Sequence, residues 1–122
     1  MTLRERVLPP DPRRVGTEPD YRFTLANERT FLAWIRTALA LAAGGLAAVS
    51  LLDQVALGET LGILLLALSF VTAASAYRRW ALNERAMRLN EPLPASRLPM
   101  MMAVGTAVVA IVAAVILVVD QA

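Results

Sequence analysis

Arginine is the only base in this 122-residue chain, which contains twelve arginines, ten carboxylates, and no Lys, His or Cys. Without His the commonest general base and metal ligand is missing, and without Cys there is no disulfide framework and no redox clue to compartment. The chemistry left to the basic residues is recognition of oxyanions, because a guanidinium is a planar fork of donors that keeps its charge at every accessible pH. Base composition of the coding sequence also produces an Ala-rich, Arg-only protein, so type alone assigns nothing. Spacing is more informative. In LANERTFLAWIRTALALAAGG, residues 25–45, Arg29 and Arg36 stand seven apart, with Arg36 inside an apolar run.

Those arginines need a scaffold, and the composition names it. The chain is 57% hydrophobic with a mean hydropathy of +0.56, far from an average soluble domain. About 20 mostly apolar residues cross a hydrocarbon layer of about 30 Å. Three stretches meet that requirement, at 31–52, 57–77 and 101–119. The expected fold is therefore an all-α membrane protein with three transmembrane helices, assembled as a homo-oligomeric bundle. Residues 1–19, punctuated by Pro9, Pro10, Pro12, Gly16 and Pro19, read as a flexible cytoplasmic arm with no signal peptide, and 20–122 as the membrane domain. A helix is expected to start at Asp20 or Thr24 and to run unbroken into the first span.

Charge sets the expected orientation. Arg4, Arg6, Arg13, Arg14, Arg22 and Arg29 precede the first span, and Arg78, Arg79, Arg85, Arg88 and Arg97 lie in the 78–99 loop. The 53–60 connection and the 120–122 tail carry no base. The positive-inside rule then puts the N-terminus and the 78–99 loop in the cytoplasm and the C-terminus outside. A bacterial plasma (inner) membrane location follows, with the lipid bilayer as first partner. The short first connection makes spans one and two an antiparallel hairpin. Residues 77–90 extend the second helix, the 91–99 segment EPLPASRLP breaks it, and Pro99 suits the first turn of span three.

On a helix, Arg29, Ala33, Arg36, Ala40, Ala43, Ala47 and Ser50 share one face, and every member other than the arginines is small. Small faces let helices approach closely in lipid, which is the packing reading. Arg36 asks for more. Snorkelling would bring its head to the interface, but leaving it out of the span leaves only Thr37–Leu52, about 24 Å of helix and short for a crossing. A cation at that depth faces a bundle interior or a water-filled cavity. On span two, Ser69, Thr72, Ala76 and Arg79 form a second polar line. Pairing of the hairpin would bring Arg29, Arg36 and Arg79 together. The triplet Asn27-Glu28-Arg29 is echoed by Asn83-Glu84-Arg85, too short to establish a repeat; Glu28 and Glu84 are candidate carboxylates to hold the guanidinium groups, with Asn27 and Arg85 supporting.

The stretches DPR (11–13), DYRFTLANERTFLAWIRTALAL (20–41), YRRW (77–80) and EPLP (91–94) resemble the YidH-like inner-membrane family, the domain of unknown function 202. The likeness spans nearly the whole chain, and it implies a small three-span protein without an assigned activity. The same domain is similar to the membrane part of the eukaryotic vacuolar transporter chaperone, a polyphosphate polymerase complex with a pore for the polyanion. That resemblance implies pore-lining roles for Arg29, Arg36 and Arg79, or Arg78 in place of Arg79. It implies a pentamer, while the sequence leaves a trimer or tetramer open. It does not extend to synthesis, because polymerase and phosphate-sensing domains are missing from this sequence.

Two functions compete on these residues. In one, a homo-oligomer presents an Arg-lined cytoplasmic vestibule, a channel or binding site for phosphate-like anions or polyphosphate, with the apolar run 40–52 as a constriction. In the other, a structural or accessory membrane subunit uses its arginines for anionic lipid headgroups or an acidic partner. An enzyme is not expected: Asp53, Glu59 and Asp120 fall on the other side of the membrane from the arginines, and no nucleophile–base pair, Gly-rich phosphate loop or metal cluster appears. No cofactor and no nucleic acid partner are expected.

Overall fold

A computed structural model of the chain describes residues 3–4 and 8–121, which leaves Arg6 of the basic N-terminal set and Ala122 of the tail outside the described residues. Three helices follow a short 3-10 helix at Pro12–Arg14: α1 Tyr21–Leu51, α2 Gly58–Arg88 and α3 Leu98–Gln121. All three are long and apolar enough to span a membrane, and each covers one of the expected spans to within one residue. Among the described residues there is no strand.

The helix ends are written in side chains. Asp20 caps α1, its Oδ1 accepting from the Arg22 N–H at 2.9 Å and satisfying a donor that the first turn leaves open. Of the two caps expected, Asp20 is the one used. Asn90, at φ 57°, ends α2 in the left-handed conformation that Asn tolerates. The Glu91 N–H bonds to Ala86 O at 2.9 Å and the Asn90 N–H to Met87 O at 3.4 Å, the paired bonds of a Schellman stop. Ser96 Oγ then accepts from the Leu98 N–H at 3.2 Å to open α3, with Pro99 in its first turn. Between α1 and α2 the chain turns through Leu57 at φ 68° into Gly58, where a Cβ would overlap the Leu52 carbonyl.

The hairpin of α1 and α2 is the core of the protomer. Its helices come closest at Gly45 and Gly62, where a Cβ on Gly62 would stand 2.9 Å from Gly45 O and collide with the Val49 side chain. Removing side chains at both positions lets the two backbones approach closely, the device that replaces hydrophobic driving force in lipid. Ala38, Ala48 and Ala76 are buried along the hairpin. Ser69 Oγ donates across it to Ala38 O at 2.6 Å, so the hydroxyl does not meet hydrocarbon unpaired. α3 leans on the other side of α2. Thr72, fully buried, donates to Leu68 O at 2.6 Å and lies 3.0 Å from Met102 Sδ, and Gly105 sits against Leu68. The helices thus form an open row, α1–α2–α3, with α2 in the middle.

The expected arm of 1–19 is docked where it is described. Pro12 is buried, Asp11 Oδ1 caps the 3-10 helix through the Arg13 N–H at 3.0 Å, and the Thr17 N–H donates to Arg88 O at 3.1 Å. These contacts attach it to the end of α2.

Candidate functional site

The register of the hairpin fixes the depth of each arginine. Asn27 Nδ2 donates to Trp80 O at 3.0 Å, Ser69 bonds to Ala38, and Gly45 meets Gly62. Extended along two antiparallel helices, these contacts put Arg29 level with Arg78 and Arg36 level with Val71. Arg78 is the first charge on α2 after the apolar run 60–77. Arg36 therefore starts about 10 Å further into the apolar layer than Arg29, seven residues at about 1.5 Å each. An aromatic cluster marks the boundary: the Trp80 ring is 6.3 Å from Phe31 and 6.0 Å from Tyr77 by centroid. Rings of this kind settle where hydrocarbon meets headgroups.

The face carrying Arg29 and Arg36 is not used within the protomer. Arg29, Ala33, Arg36, Ala40, Ala43, Ala47 and Ser50 are all exposed. α1 instead packs on α2 through Asn27, Ala38, Gly45 and Ala48, which are buried. Ala38 and Arg36 point about 160° apart on a helix of about 3.6 residues per turn. The small stripe thus lies opposite the hairpin contact, and a third stripe, Leu32, Leu39 and Leu46, is exposed between them. Two small-residue faces exist on α1, and the one buried in the hairpin is not the one that carries the arginines.

Arg79 goes elsewhere. The line Ser69, Thr72, Ala76 and Arg79 faces the interior of the helix row: Thr72 and Ala76 are buried, and Ser69 bonds to α1. At its end Arg79 stands beside Asn27, Thr30 and Trp34 of α1, and also borders a cleft of about 410 Å³ towards the start of α3, together with Arg78 and Arg97. The three cations expected to converge are therefore divided within one protomer, Arg29 and Arg36 on the bare face and Arg79 between helices.

The two carboxylates expected to hold those guanidinium groups do not. Glu84 is buried, accepts from Thr24 Oγ1 at 3.3 Å and lies 3.9 Å from Arg88 Nε on its own helix. Glu28 is exposed, and no salt bridge reaches it among the described residues. The supporting asparagines do meet: Asn83 Nδ2 lies 3.5 Å from Asn27 Oδ1, so the two Asn-Glu-Arg triplets touch through their first residues. Arg85 stays exposed. Sequence reasoning passed over Arg97, reading it as one more loop charge; its place just before Leu98 and Pro99 was the signal that it opens α3. At the arm and the start of α1, Asp11 and Asp20 are held below the usual carboxylate range, the first chiefly by the Arg13 N–H and the second chiefly by the Arg22 guanidinium.

Residues 22–86 match the family described as Domain of unknown function (DUF202). The chain belongs to the DUF202 family. The matched region of this DUF202 chain holds nearly all of α1 and α2, with Arg29, Arg36, Arg78 and Arg79, and leaves out Arg88 and Arg97. The chain is 52% identical over 88 residues to the inner membrane protein YidH of Escherichia coli, covering 66% of this chain and 73% of that one. It is 48% identical over 99 residues to the uncharacterized protein Rv2272 of Mycobacterium tuberculosis, covering 79% and 81%. No solved structure matches. With its three apolar helices, the protein is a multi-pass inner-membrane protein of bacterial type. The likeness to the vacuolar transporter chaperone stands only on the residues quoted for it.

Proposed function

We propose that this DUF202 protein is the protomer of a homo-oligomeric membrane assembly whose α1 helices turn the Arg29–Arg36 face towards one another and bind phosphate-like anions there. The observation that carries this reading is the bare stripe on α1: a cation level with Val71, set among small residues, opposite the face that closes the hairpin. Lipid tails solvate neither a guanidinium nor the gap beside it. A second copy supplies both small-residue packing and a shared, water-accessible centre. One protomer encloses no polar path, because its three helices form an open row. A ring of copies would stack Arg29 and Arg36 as two cationic layers about 10 Å apart, a length that a polyanion spans with several phosphate units. The positive-inside rule turns this end to the cytoplasm. The assembly is then a cytoplasmic vestibule for phosphate-like anions, polyphosphate included, with the apolar outer half of α1 as its constriction. It performs no catalysis.

The test is anion flux through reconstituted liposomes with phosphate and short polyphosphate. Anion-selective flux that Arg36→Gln abolishes is the expected result. Lack of flux, together with anion binding unchanged by Arg36→Gln, would assign the arginines to lipid headgroups and the protein to a structural role.

A further inference from the structure

We infer that the cleft between α2 and the start of α3 is a second anion site, contained within one protomer, that takes a phosphate-type oxyanion. Its wall is built from two segments remote in sequence. α2 contributes Ser75, Arg78, Arg79 and Asn83, and the segment entering α3 contributes Ser96 and Arg97. The opening encloses about 410 Å³, within the usual range of small-ligand pockets, roughly 300–1,000 Å³. Three guanidinium groups line it, and no acidic residue does among the described residues. Among the described residues no salt bridge neutralises Arg79 or Arg97.

Bringing Arg79 and Arg97 to one cleft is unfavourable when it is empty. Like charges gathered at the border of a low-dielectric layer repel one another, and an oxyanion reverses the sign of that interaction. The surrounding groups suit the same occupant. Ser75 and Ser96 carry hydroxyls that donate to phosphate oxygens, and the amide of Asn83 is anchored at one end by Asn27. Arg supplies the paired, planar donors that phosphate takes up best.

Depth selects the class of ligand. Arg78 and Arg79 lie in the same helical turn as Tyr77 and Trp80, whose rings pack together at the boundary of the apolar layer. A phosphate group at that level belongs either to a lipid headgroup or to an anion arriving from water. The chemistry recognised is the same, and the source is a matter for measurement. This site does not depend on the oligomer reading, since neither Arg29 nor Arg36 lines it. Its position also gives the linker between α2 and α3 a role. The Schellman stop at Asn90 and the Ser96 cap at Leu98 fold the chain back so that Arg97 faces two arginines twenty residues or so behind it.

The experiment uses the full chain, delipidated in neutral detergent. In one arm, inorganic phosphate is titrated and followed by phosphorus NMR. In the other, phosphatidylglycerol and phosphatidylcholine are offered in mixed micelles and bound lipid is counted by native mass spectrometry. Saturable binding in the first arm identifies a soluble phosphate ligand, and selective retention of phosphatidylglycerol in the second identifies a headgroup. In whichever arm binds, Arg97→Gln lowers affinity by about tenfold or more, the loss of one charge-assisted hydrogen bond, while Arg97→Lys loses less. Arg14→Gln, at an exposed arginine outside both sites, changes it by less than about twofold. Arg97 is exposed, so its variants keep the helix content that circular dichroism reads. The inference is overturned if neither probe binds saturably, if Arg97→Gln leaves binding intact, or if Arg14→Gln weakens it as much as Arg97→Gln does.

Discussion

Glu84 and Arg88 offer a calculation that separates a structural ion pair from a carboxylate serving the site. The two charges are 3.9 Å apart, with side chains 4% and 10% exposed. At an effective dielectric near 20 their gross attraction is about 4 kcal/mol. Burial of two ions costs several kcal/mol each, so the pair as a whole contributes little against an apolar replacement. Removing one partner is different, because the survivor stays buried and uncompensated. Among the described residues Glu84 Oε2 and Arg88 Nε lack hydrogen-bond partners, and the Thr24 hydroxyl is the one donor to the carboxylate. Glu84→Gln and Arg88→Met are each expected to cost about 3 kcal/mol, the lower end for broken buried pairs since Arg88 keeps slight exposure. The double variant is expected to cost about 1 kcal/mol or less, a coupling of about 4 kcal/mol or more. Reversible unfolding by SDS in mixed micelles, read by circular dichroism, measures all three. Additivity within about 0.5 kcal/mol would refute the reasoning. Coupling of Glu84→Gln to Arg79→Gln rather than to Arg88→Met would restore Glu84 to the cationic site.

The same unfolding assay distinguishes two adjacent glycines. Gly45→Ala is expected to cost about 1–3 kcal/mol by overpacking, since its Cβ would stand 2.8 Å from Leu66 Cγ and 3.0 Å from Gly62 O. Gly44→Ala, whose Cβ would meet only Leu65 Cδ1 at 3.8 Å, is expected to be neutral or to stabilise by about 0.5–1 kcal/mol. Asp20 gives a pH dependence of known sign. Its folded pKa lies below the ordinary 3.8, so its cap contribution is present above that value and is lost as pH falls through the folded one. Protection of the Arg22 amide against hydrogen exchange is expected to fall as the pH drops below 3.8 and through the lowered folded value, and Asp20→Asn, which caps without titrating, is expected to flatten that change.

Much of the fold is legible because the bilayer leaves the chain few choices. Spans, the Asp20 cap and the hairpin follow from run length, one acidic side chain and a short connection. The pairing of faces does not. Ala38, Gly45 and Ala48 on one side of α1, and Ala40, Ala43 and Ala47 on the other, are equally small and equally compatible with close packing; only the partner helix, with Gly62 and Ser69, decides between them. The pairing of Glu84 with Arg88 is legible from their i, i+4 spacing, but its burial is not. Glu84 and Arg88 have the spacing of an ordinary surface pair, and their burial depends on Thr24 and the docked arm, which are far away in sequence. The cleft of Arg78, Arg79 and Arg97 needs the stop at Asn90, and nothing in the composition of 89–97 announces which way the chain returns.

The central claim is that the Arg29–Arg36 face of α1 meets other copies of the same face. The chain has no native cysteine, so a disulfide scan along α1 in native membranes reads it without background. Single substitutions Ala33→Cys, Ala40→Cys, Ala43→Cys and Ala47→Cys are expected to cross-link between protomers under mild oxidation, while Leu32→Cys, Leu39→Cys and Leu46→Cys remain monomeric. Cross-linking that peaks on the leucine stripe, or fails along the whole helix, would contradict the account.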